Sequence, residues 1–206
     1  MALQPTLRPF IVAGRSDAPH TLEVFLDYVC PFSAKLTRAL DSVVKPLVDA
    51  GGQYDGKVKV IFRNQVQPWH ATSTFVHEAS LAASRAAPEK FWSFTVTLMN
   101  RQEEFYDGPT STLTALQIRE KLADVATEAG ITGDKLAQFK DLLTLKGSGN
   151  GGIDVTDDLK YTIKFSRQNG IHVSPTVLWD GLVANEVSSG WLEKEWSGFF
   201  TQKVIV

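Results

Sequence analysis

One residue in this sequence stands out for its chemistry: Cys30 is the only cysteine among 206 residues. It follows an apolar run that ends at Leu26, is rich in strand formers and is short enough to be an internal strand of a sheet. Pro31 comes directly after it and suits the first position of a helix, because a helix leaves that N–H unpaired anyway. The sequence therefore predicts Cys30 at the junction of a buried strand and the N-terminus of a helix.

This placement favours a reactive sulfur. The unpaired N–H groups and the positive end of the dipole at a helix N-terminus stabilise an anion, and a thiolate held there acts as a nucleophile. We therefore predict that Cys30 is an accessible, nucleophilic thiol. The alternative is a buried cysteine that serves only as a small apolar side chain, which is a common role of free cysteine.

The neighbours of Cys30 include candidates for supporting roles. Asp27 could take up or relay the thiol proton, or it could be a solvated carboxylate at the strand end, where its charge would disfavour a thiolate. Pro31 and Phe32 are candidates for substrate contacts. Phe32, together with Tyr28 and Trp69, could line an apolar substrate groove, or these rings could belong to the core.

Composition and charge exclude several classes of protein. The chain is 43% hydrophobic and 21% charged, with a net charge of −2, and it has no Lys/Arg cluster of the kind that nucleic-acid-binding proteins carry. No stretch is apolar for long enough to span a membrane, and we expect no secretory signal. The four histidines show no metal-ligand spacing. A single cysteine excludes an internal disulfide, so we expect a reducing compartment and a cytoplasmic location.

The elements that must position Cys30 follow from the periodicity of the apolar residues. Up to residue 64 the sequence predicts a strand over 8–12, a strand over 21–26, a helix over 32–50 and a strand over 58–64. Pro46 is expected to kink this helix or to end it early. Because a helix connects the second and third strands, they should pair in parallel.

From residue 69 to about residue 145 the sequence predicts helices only. They cover 71–87, a segment that begins at Pro88, 113–129 and 135–145. A glycine-rich joint over 147–152 follows. After it come a helix over 154–168, a strand over 173–179, a tight turn at residues 180–181, a strand over 182–184 and a closing helix that carries Trp191, Trp196 and Phe199.

Three short stretches, in the right order and spacing, carry a family resemblance. Residues 27–33, Asp-Tyr-Val-Cys-Pro-Phe-Ser, resemble the active-site turn of DsbA-like proteins of the thioredoxin superfamily, where an aspartate and an aromatic residue often precede a Cys-Pro-aromatic-Cys motif. Residues 62–70 are similar to the segment that leads into that family's helical insertion. Residues 170–176 and the Asp180-Gly181 turn resemble the loop that carries the superfamily's cis-proline and the hairpin after it.

The resemblance implies an α/β fold of the thioredoxin-like type, a central mixed sheet flanked by helices, with an inserted all-helical subdomain. The thioredoxin-like domain would be discontinuous, over 1–65 and 151–206, with the insertion over 66–150. By analogy, Pro175 would follow a cis peptide bond and its loop would lie against Cys30. The backbone of Ser174 would then pair with an extended peptide or with glutathione. The alternative is a proline that merely starts an edge strand.

The sequence departs from the family pattern at Ser33, which occupies the position of the second cysteine. In a dithiol enzyme the second thiol attacks the mixed disulfide and releases the product, and a hydroxyl cannot do this. Cys30 could still attack a disulfide, accept glutathione or be oxidised to a sulfenic acid, but the resolving thiol must come from another molecule. Ser33 could donate a hydrogen bond to the Cys30 thiolate, or it could only polarise the first turn of the helix.

Three functions are compatible with these observations. The first is a DsbA-like oxidoreductase that acts through one thiol, with no bound cofactor and with glutathione as co-substrate. The second is a glutathione-dependent transferase or isomerase resembling the kappa class, which has serine where this chain has Cys30. The third is a non-catalytic binding protein. Expected partners are a peptide or protein disulfide or glutathione, without nucleic acid or membrane, and a homodimer is compatible with the sequence.

Overall fold

The structure, a computed structural model, describes residues 3–205. The strands are β1 (Ile11–Ala13), β2 (His20–Leu26), β3 (Val58–Asn64), β4 (Thr176–Trp179) and β5 (Leu182–Val183). The α-helices are α1 (Pro31–Ala39), α2 (Lys45–Val48), α3 (Ser73–Ala86), α4 (Phe91–Asn100), α5 (Asp107–Thr110), α6 (Ala115–Glu128), α7 (Gly133–Leu142), α8 (Thr156–Gln168) and α9 (Glu193–Lys203). Within this range, none of the helices is both long and apolar enough to cross a membrane.

The strands form one mixed sheet in the order β1-β3-β2-β4-β5. Strand β2 is central, and it pairs in parallel with β3 and antiparallel with β4, which confirms the predicted parallel pair. All seven residues of β2 are buried, because the sheet is covered on both faces, and this explains the nearly continuous apolar run in the sequence. The chain that leaves β2 therefore starts from the middle of the sheet, and it carries Cys30.

The aromatic core joins the sheet to the helices that follow β3. The ring of Phe91 on α4 lies 4.4 Å from that of Phe10 and 5.8 Å from that of Phe62 on β3, measured between centroids. Tyr28, two residues after the end of β2, packs on Phe62 with ring centroids 5.4 Å apart. The mixed sheet with flanking helices confirms the predicted thioredoxin-like α/β fold. The division into domains at residues 65 and 150 stays a prediction.

The predicted strand over 8–12 is wrong for its first three residues. Residues Pro5–Phe10 form a 3-10 helix, and strand β1 begins only at Ile11. Pro5 occupies the start of this helix and Pro9 lies inside it. Proline has no N–H to donate to a neighbouring strand. The apolar residues of this segment, Leu7 and Phe10, are therefore buried in the core without belonging to a strand.

The expected break at Pro46 takes the form of a π-helical turn. Residues Leu40–Val44 follow α1 directly in this conformation, and the N–H of Lys45 donates to the carbonyl of Leu40. Proline cannot donate an N–H, and its ring crowds the carbonyl four residues earlier. The wider turn before Pro46 lets the helix continue into α2, which ends at Val48.

The C-terminal hairpin is fixed to the start of β2. Asp180 and Gly181 both have positive φ, 48° and 87°, which is typical of the two-residue turn predicted here. One carboxylate oxygen of Asp180 accepts a hydrogen bond from the N–H of Thr21 at 2.7 Å, and the other lies 2.8 Å from His20 Nδ1. The hairpin therefore holds β4 in register beside β2.

The closing helix is shorter than predicted. Trp191 precedes α9, so its predicted place on that helix is wrong. The side chain of Glu195 accepts a hydrogen bond from the N–H of Leu192 at 3.0 Å, and this contact fixes the start of the helix after Leu192. Trp191 still packs against Trp196 on α9, with ring centroids 5.3 Å apart.

Tyr28 ties the chain leaving β2 to the helical layer. Its side chain is fully buried, its hydroxyl donates to Ser80 Oγ at 2.8 Å, and the same hydroxyl lies 3.0 Å from Thr95 Oγ1. Burial raises the pKa of Tyr28, so its hydroxyl keeps its proton and remains a donor. One phenol thus connects the residues before Cys30 to both α3 and α4.

The substitution Tyr28→Phe tests this connection. It removes the shared hydroxyl and leaves two buried hydroxyls with fewer partners, so the free energy of unfolding should fall by about 1–3 kcal/mol. Urea denaturation measures the change. Tyr161→Phe is the matched control, because its half-buried ring packs against Phe165 away from this cluster. Equal stability of Tyr28→Phe and the wild type would contradict the role given to the hydroxyl.

Candidate functional site

Cys30 lies at the N-terminus of α1. It is the N-cap residue, in an extended conformation, and Pro31 takes the first helical position. The carbonyl of Cys30 accepts the first helical hydrogen bond, from the N–H of Ala34 at 3.2 Å, and its own N–H donates to the carbonyl of Asp27 at 3.2 Å. The sulfur is therefore held at the N-terminus of α1, as the strand–Cys–Pro pattern predicts.

The loop before β4 lies against this sulfur. The Ser174–Pro175 peptide bond is cis, and the thiol of Cys30 donates to the carbonyl of Ser174 at an Sγ–O distance of 3.4 Å. The loop therefore meets Cys30 as the resemblance implied. Ser174 and Pro175 are half-buried. Their contact with a bound substrate stays a prediction.

Cys30 is less accessible than the sequence predicts. Only 6% of the residue is exposed, because it sits inside a tight turn and the Ser174 carbonyl lies over its sulfur. The structure therefore places Cys30 among the buried residues.

Ser33 connects the first turn of α1 to the end of β2. Its side chain is fully buried, and its hydroxyl oxygen accepts a hydrogen bond from the N–H of Asp27 at 3.2 Å. Its carbonyl accepts a bond from Thr37 Oγ1 at 2.9 Å. In the part of the chain that the structure describes, the hydroxyl is paired with Asp27 and not with the sulfur. A hydrogen bond from Ser33 to the Cys30 thiolate stays a prediction.

Asp27 is buried and binds three separate groups. Its Oδ1 accepts from the N–H of Val29 at 2.9 Å, and its Oδ2 accepts from the N–H of Gln67 at 2.8 Å and from Ser73 Oγ at 2.6 Å. These contacts join the Cys30 turn to the chain after β3 and to the start of α3. They show a positioning role, and a proton relay from Asp27 to Cys30 stays a prediction.

The imidazole of His77 lies behind this carboxylate. His77 is fully buried on α3, with Nε2 3.7 Å from Asp27 Oδ1 and its ring 5.1 Å from that of Tyr28. Burial by itself raises the pKa of the Asp27 carboxyl. The imidazole of His77 and the hydrogen bonds from Ser73 and Val29 lower it by more, so this pKa lies below its usual value. Asp27 is therefore a carboxylate at neutral pH.

Exposed apolar side chains surround the site. Phe32 is 56% exposed, Trp69 60% and Val173 49%, and Pro31 is exposed beside them. Of the two alternatives for Tyr28, the structure supports a place in the core, because its ring is fully buried against the sheet. The remaining side chains form an apolar rim on the segments that hold Cys30.

Tyr106 is a residue near the site that sequence reasoning missed. It is half-buried, follows a 3-10 turn over Gln102–Phe105, and donates from its hydroxyl to Gln102 Oε1 at 2.5 Å. Burial raises the pKa of Tyr106, and the negative charges of Glu103 and of the Cys30 sulfur raise it further. Tyr106 therefore lies within the range of electrostatic interaction with the Cys30 sulfur. No local sequence signal links Tyr106 to the site, since Tyr106 and Cys30 are far apart in the chain.

The histidines lie in four different places. His20 binds Asp180 at the hairpin, His77 lies beside Asp27, and His70 Nδ1 is 2.9 Å from Asp107 Oδ2. The exposed His172 donates from Nδ1 to the carbonyl of Gly170 at 3.1 Å. Over residues 3–205, no three side chains of the His, Cys, Asp and Glu types come together in a way that could hold a metal ion.

The substitution Asp27→Asn tests the role of the buried carboxylate. It replaces one acceptor oxygen by a donor that faces other donors, so we expect a loss of about 2–4 kcal/mol in the free energy of unfolding at pH 7. Because the pKa is lowered in the folded state, the carboxylate stabilises the fold fully above its ordinary pKa and loses this effect as the pH falls below it. The difference between wild type and variant should therefore shrink below about pH 4.

Chemical denaturation at a series of pH values measures both effects. Asp124→Asn, on the exposed side of α6, is the control and should leave stability unchanged. A difference between wild type and Asp27→Asn that does not vary with pH would show that the charge of Asp27 does not stabilise the fold.

Comparison with known proteins agrees with this geometry. A family model described as Thioredoxin matches residues 8–193. Among solved structures, a proposed protein-disulfide isomerase from Pseudomonas syringae is 28% identical, with a TM-score of 0.70 over 92% of this chain and 97% of that chain. A search of curated proteins gives no significant match.

Two further structures share the fold. BdbD from Bacillus subtilis, in its oxidised form, is 19% identical, with a TM-score of 0.64 over 98% of this chain and 96% of its own. The thiol-disulfide oxidoreductase MdbA from Corynebacterium diphtheriae is 21% identical, with a TM-score of 0.61 over 89% and 85%. Since the family model matches most of the sequence, this chain belongs to the thioredoxin family, and its fold is that of the DsbA-like thiol-disulfide oxidoreductases.

Proposed function

We propose that this protein is a thiol-disulfide exchange enzyme that acts through the single sulfur of Cys30. The observation that carries the proposal is the position of that sulfur, at the N-terminus of α1 and 3.4 Å from the carbonyl of Ser174. Helix N-termini interact favourably with anions, and the loop offers backbone groups to a bound chain. The fold supports the same reaction class.

The exchange needs two steps and no external oxidant. The Cys30 thiolate attacks one sulfur of a substrate disulfide, so that a new S–S bond forms to Cys30 and the other half leaves as a thiolate. A thiolate from a second molecule then attacks the substrate sulfur of this mixed disulfide and releases the Cys30 thiolate. Disulfide bonds are conserved in number, and Ser33 takes no part in the second step because its hydroxyl is not a leaving or attacking group here.

The Ser174 carbonyl couples this chemistry to substrate binding. In the thiol form it accepts a hydrogen bond from Cys30. A thiolate or a mixed disulfide has no S–H to donate, so this carbonyl then becomes free to accept a bond from a backbone N–H of the substrate. A disulfide with an amide N–H close to its sulfur, in a polypeptide or in glutathione, is therefore the substrate class that the loop favours.

Glutathione is the proposed resolving thiol. A chain with one cysteine depends on a free thiol in solution, and glutathione is the abundant small thiol of reducing compartments. A cytoplasmic location, proposed on the same grounds, would supply it.

A second candidate function is binding without catalysis. The specific observation in its favour is the 6% exposure of Cys30, which limits access to the sulfur. In that case the apolar rim around Phe32 and Trp69 would bind a polypeptide, and Cys30 would only fill space beneath it. The two candidates differ in whether the sulfur reacts.

Mass spectrometry after incubation with oxidised glutathione separates them. We expect one glutathione to add to the wild type and none to Cys30→Ser, with the mixed disulfide persisting until free thiol is added. Disulfide exchange with a model peptide should be lost in Cys30→Ser. An unmodified wild-type protein would overturn the enzymatic proposal and leave the binding function.

The substitution Ser33→Cys tests the missing second thiol. The N-cap and third helical positions face each other, so a sulfur at residue 33 should attack the mixed disulfide on Cys30 and release glutathione without added thiol. Ser42→Cys, on the following π-helical turn, is the matched control with a distant second thiol. A Ser33→Cys protein that retains bound glutathione as long as the control does would show that the two positions are not arranged for exchange.

A further inference from the structure

A groove that reaches the start of the cis-proline loop has no part in the exchange steps described above. Its volume is about 350 Å³, and it lies between the segment after β3 on one side and α8 with the start of the cis-proline loop on the other. Trp69 lies in the first wall, and Arg167 and His172 lie in the second. Gln65 links the two walls, because its Nε2 lies 3.5 Å from the carbonyl of Ile171.

Both walls of the groove are attached to the active-site turn. His172 is two residues before Ser174, whose carbonyl contacts the sulfur of Cys30, and two residues of extended chain span about 7 Å. On the other side, the N–H of Gln67 donates to the Asp27 carboxylate three residues before Cys30. The residues that flank a cysteine bound to Cys30 are therefore within reach of the groove.

The groove carries positive charge that nothing in it neutralises. Arg167 is exposed near the end of α8, and its guanidinium forms no ion pair with any residue from 3 to 205. No aspartate or glutamate lines the groove. A carboxylate is the group that best complements a free guanidinium, because it accepts two parallel N–H bonds.

The groove also presents apolar surface next to this charge. Trp69 is 60% exposed, and Val66, Pro68 and Ile163 are further apolar residues in the lining of the groove. Glutathione has carboxylates but no apolar side chain to cover this surface. A polypeptide with an acidic residue next to an apolar residue supplies both groups.

We propose that this groove selects polypeptide substrates that have an acidic residue close to the reacting cysteine, with Arg167 pairing with the carboxylate and Trp69 covering a neighbouring apolar side chain. The proposal rests on the exchange function of Cys30. It assigns Arg167 as a residue that determines specificity and that takes no part in the bond exchange itself.

Peptide disulfides of defined charge test this assignment. Each probe is a capped peptide with one cysteine in disulfide linkage to an aromatic thiol, and a leucine next to a variable residue that is Glu, Gln or Lys. The variable residue stands two positions before the cysteine in one series and two positions after it in the other. Attack by Cys30 forms the peptide mixed disulfide and releases the aromatic thiolate, whose absorbance gives the rate.

We expect the Glu peptide of at least one series to react about two- to fivefold faster than the Gln peptide, the span of an exposed ion pair, and the Lys peptide to react more slowly. Arg167→Gln should remove the preference for Glu, so that the Glu and Gln peptides react with this variant at the same rate. About 1 M salt should reduce the preference in the wild type. Lys164→Gln, an exposed cation on the same helix outside the groove, is the matched control and should keep the preference.

The outcomes separate this proposal from the exchange function. Equal rates for Glu and Gln in both series would overturn the acidic preference while leaving the exchange intact. Arg167→Gln could instead react more slowly than the wild type with oxidised glutathione and at the wild-type rate with the peptides. The carboxylate that pairs with Arg167 would then belong to glutathione, and the proposal of a polypeptide would be overturned. If no probe reacts with the wild type, the exchange function fails, and NMR titration with S-methylated Glu and Gln peptides then decides whether the groove prefers the acidic one.

Discussion

The geometry of the site depends on the carboxylate of Asp27. Its two oxygens hold the N–H of Val29 in the Cys30 turn, and the N–H of Gln67 and the hydroxyl of Ser73 at the entry to the helices. A buried carboxylate is stable only when it is paired in this way. Because one residue satisfies groups from three segments, the turn that carries Cys30 cannot move without disturbing the chain after β3 and the start of α3.

Each side of the site is therefore held from a different part of the fold. Strand β2 delivers Cys30 from the middle of the sheet, and the hairpin fixed by Asp180 holds β4, so the preceding loop meets the sulfur at Ser174. The chain after β3 adds the exposed Trp69. The sheet supplies rigidity, and the loops and the helix N-terminus hold the candidate site, which is the usual division of roles in α/β proteins.

Local signals were enough to predict the scaffold of the site but not its surroundings. The apolar run of β2, the proline after Cys30 and the Asp-Gly turn each act within a few residues, and a resemblance added the loop at Pro175. The buried position of Tyr28, the proximity of Tyr106 and the 6% exposure of Cys30 arise from contacts between distant segments. The 3-10 turn at the N-terminus was missed because an apolar pattern over a few residues suits either conformation.

The hydroxyl of Ser33, bonded to the N–H of Asp27, has a consequence for the whole molecule. Since no second sulfur stands there, oxidation cannot close a covalent loop within the chain, and no part of the free energy of unfolding comes from restricting the unfolded state with a cross-link. Noncovalent contacts alone hold the fold. A change in the surrounding redox potential therefore cannot alter the stability of the fold by forming or breaking a cross-link within the chain.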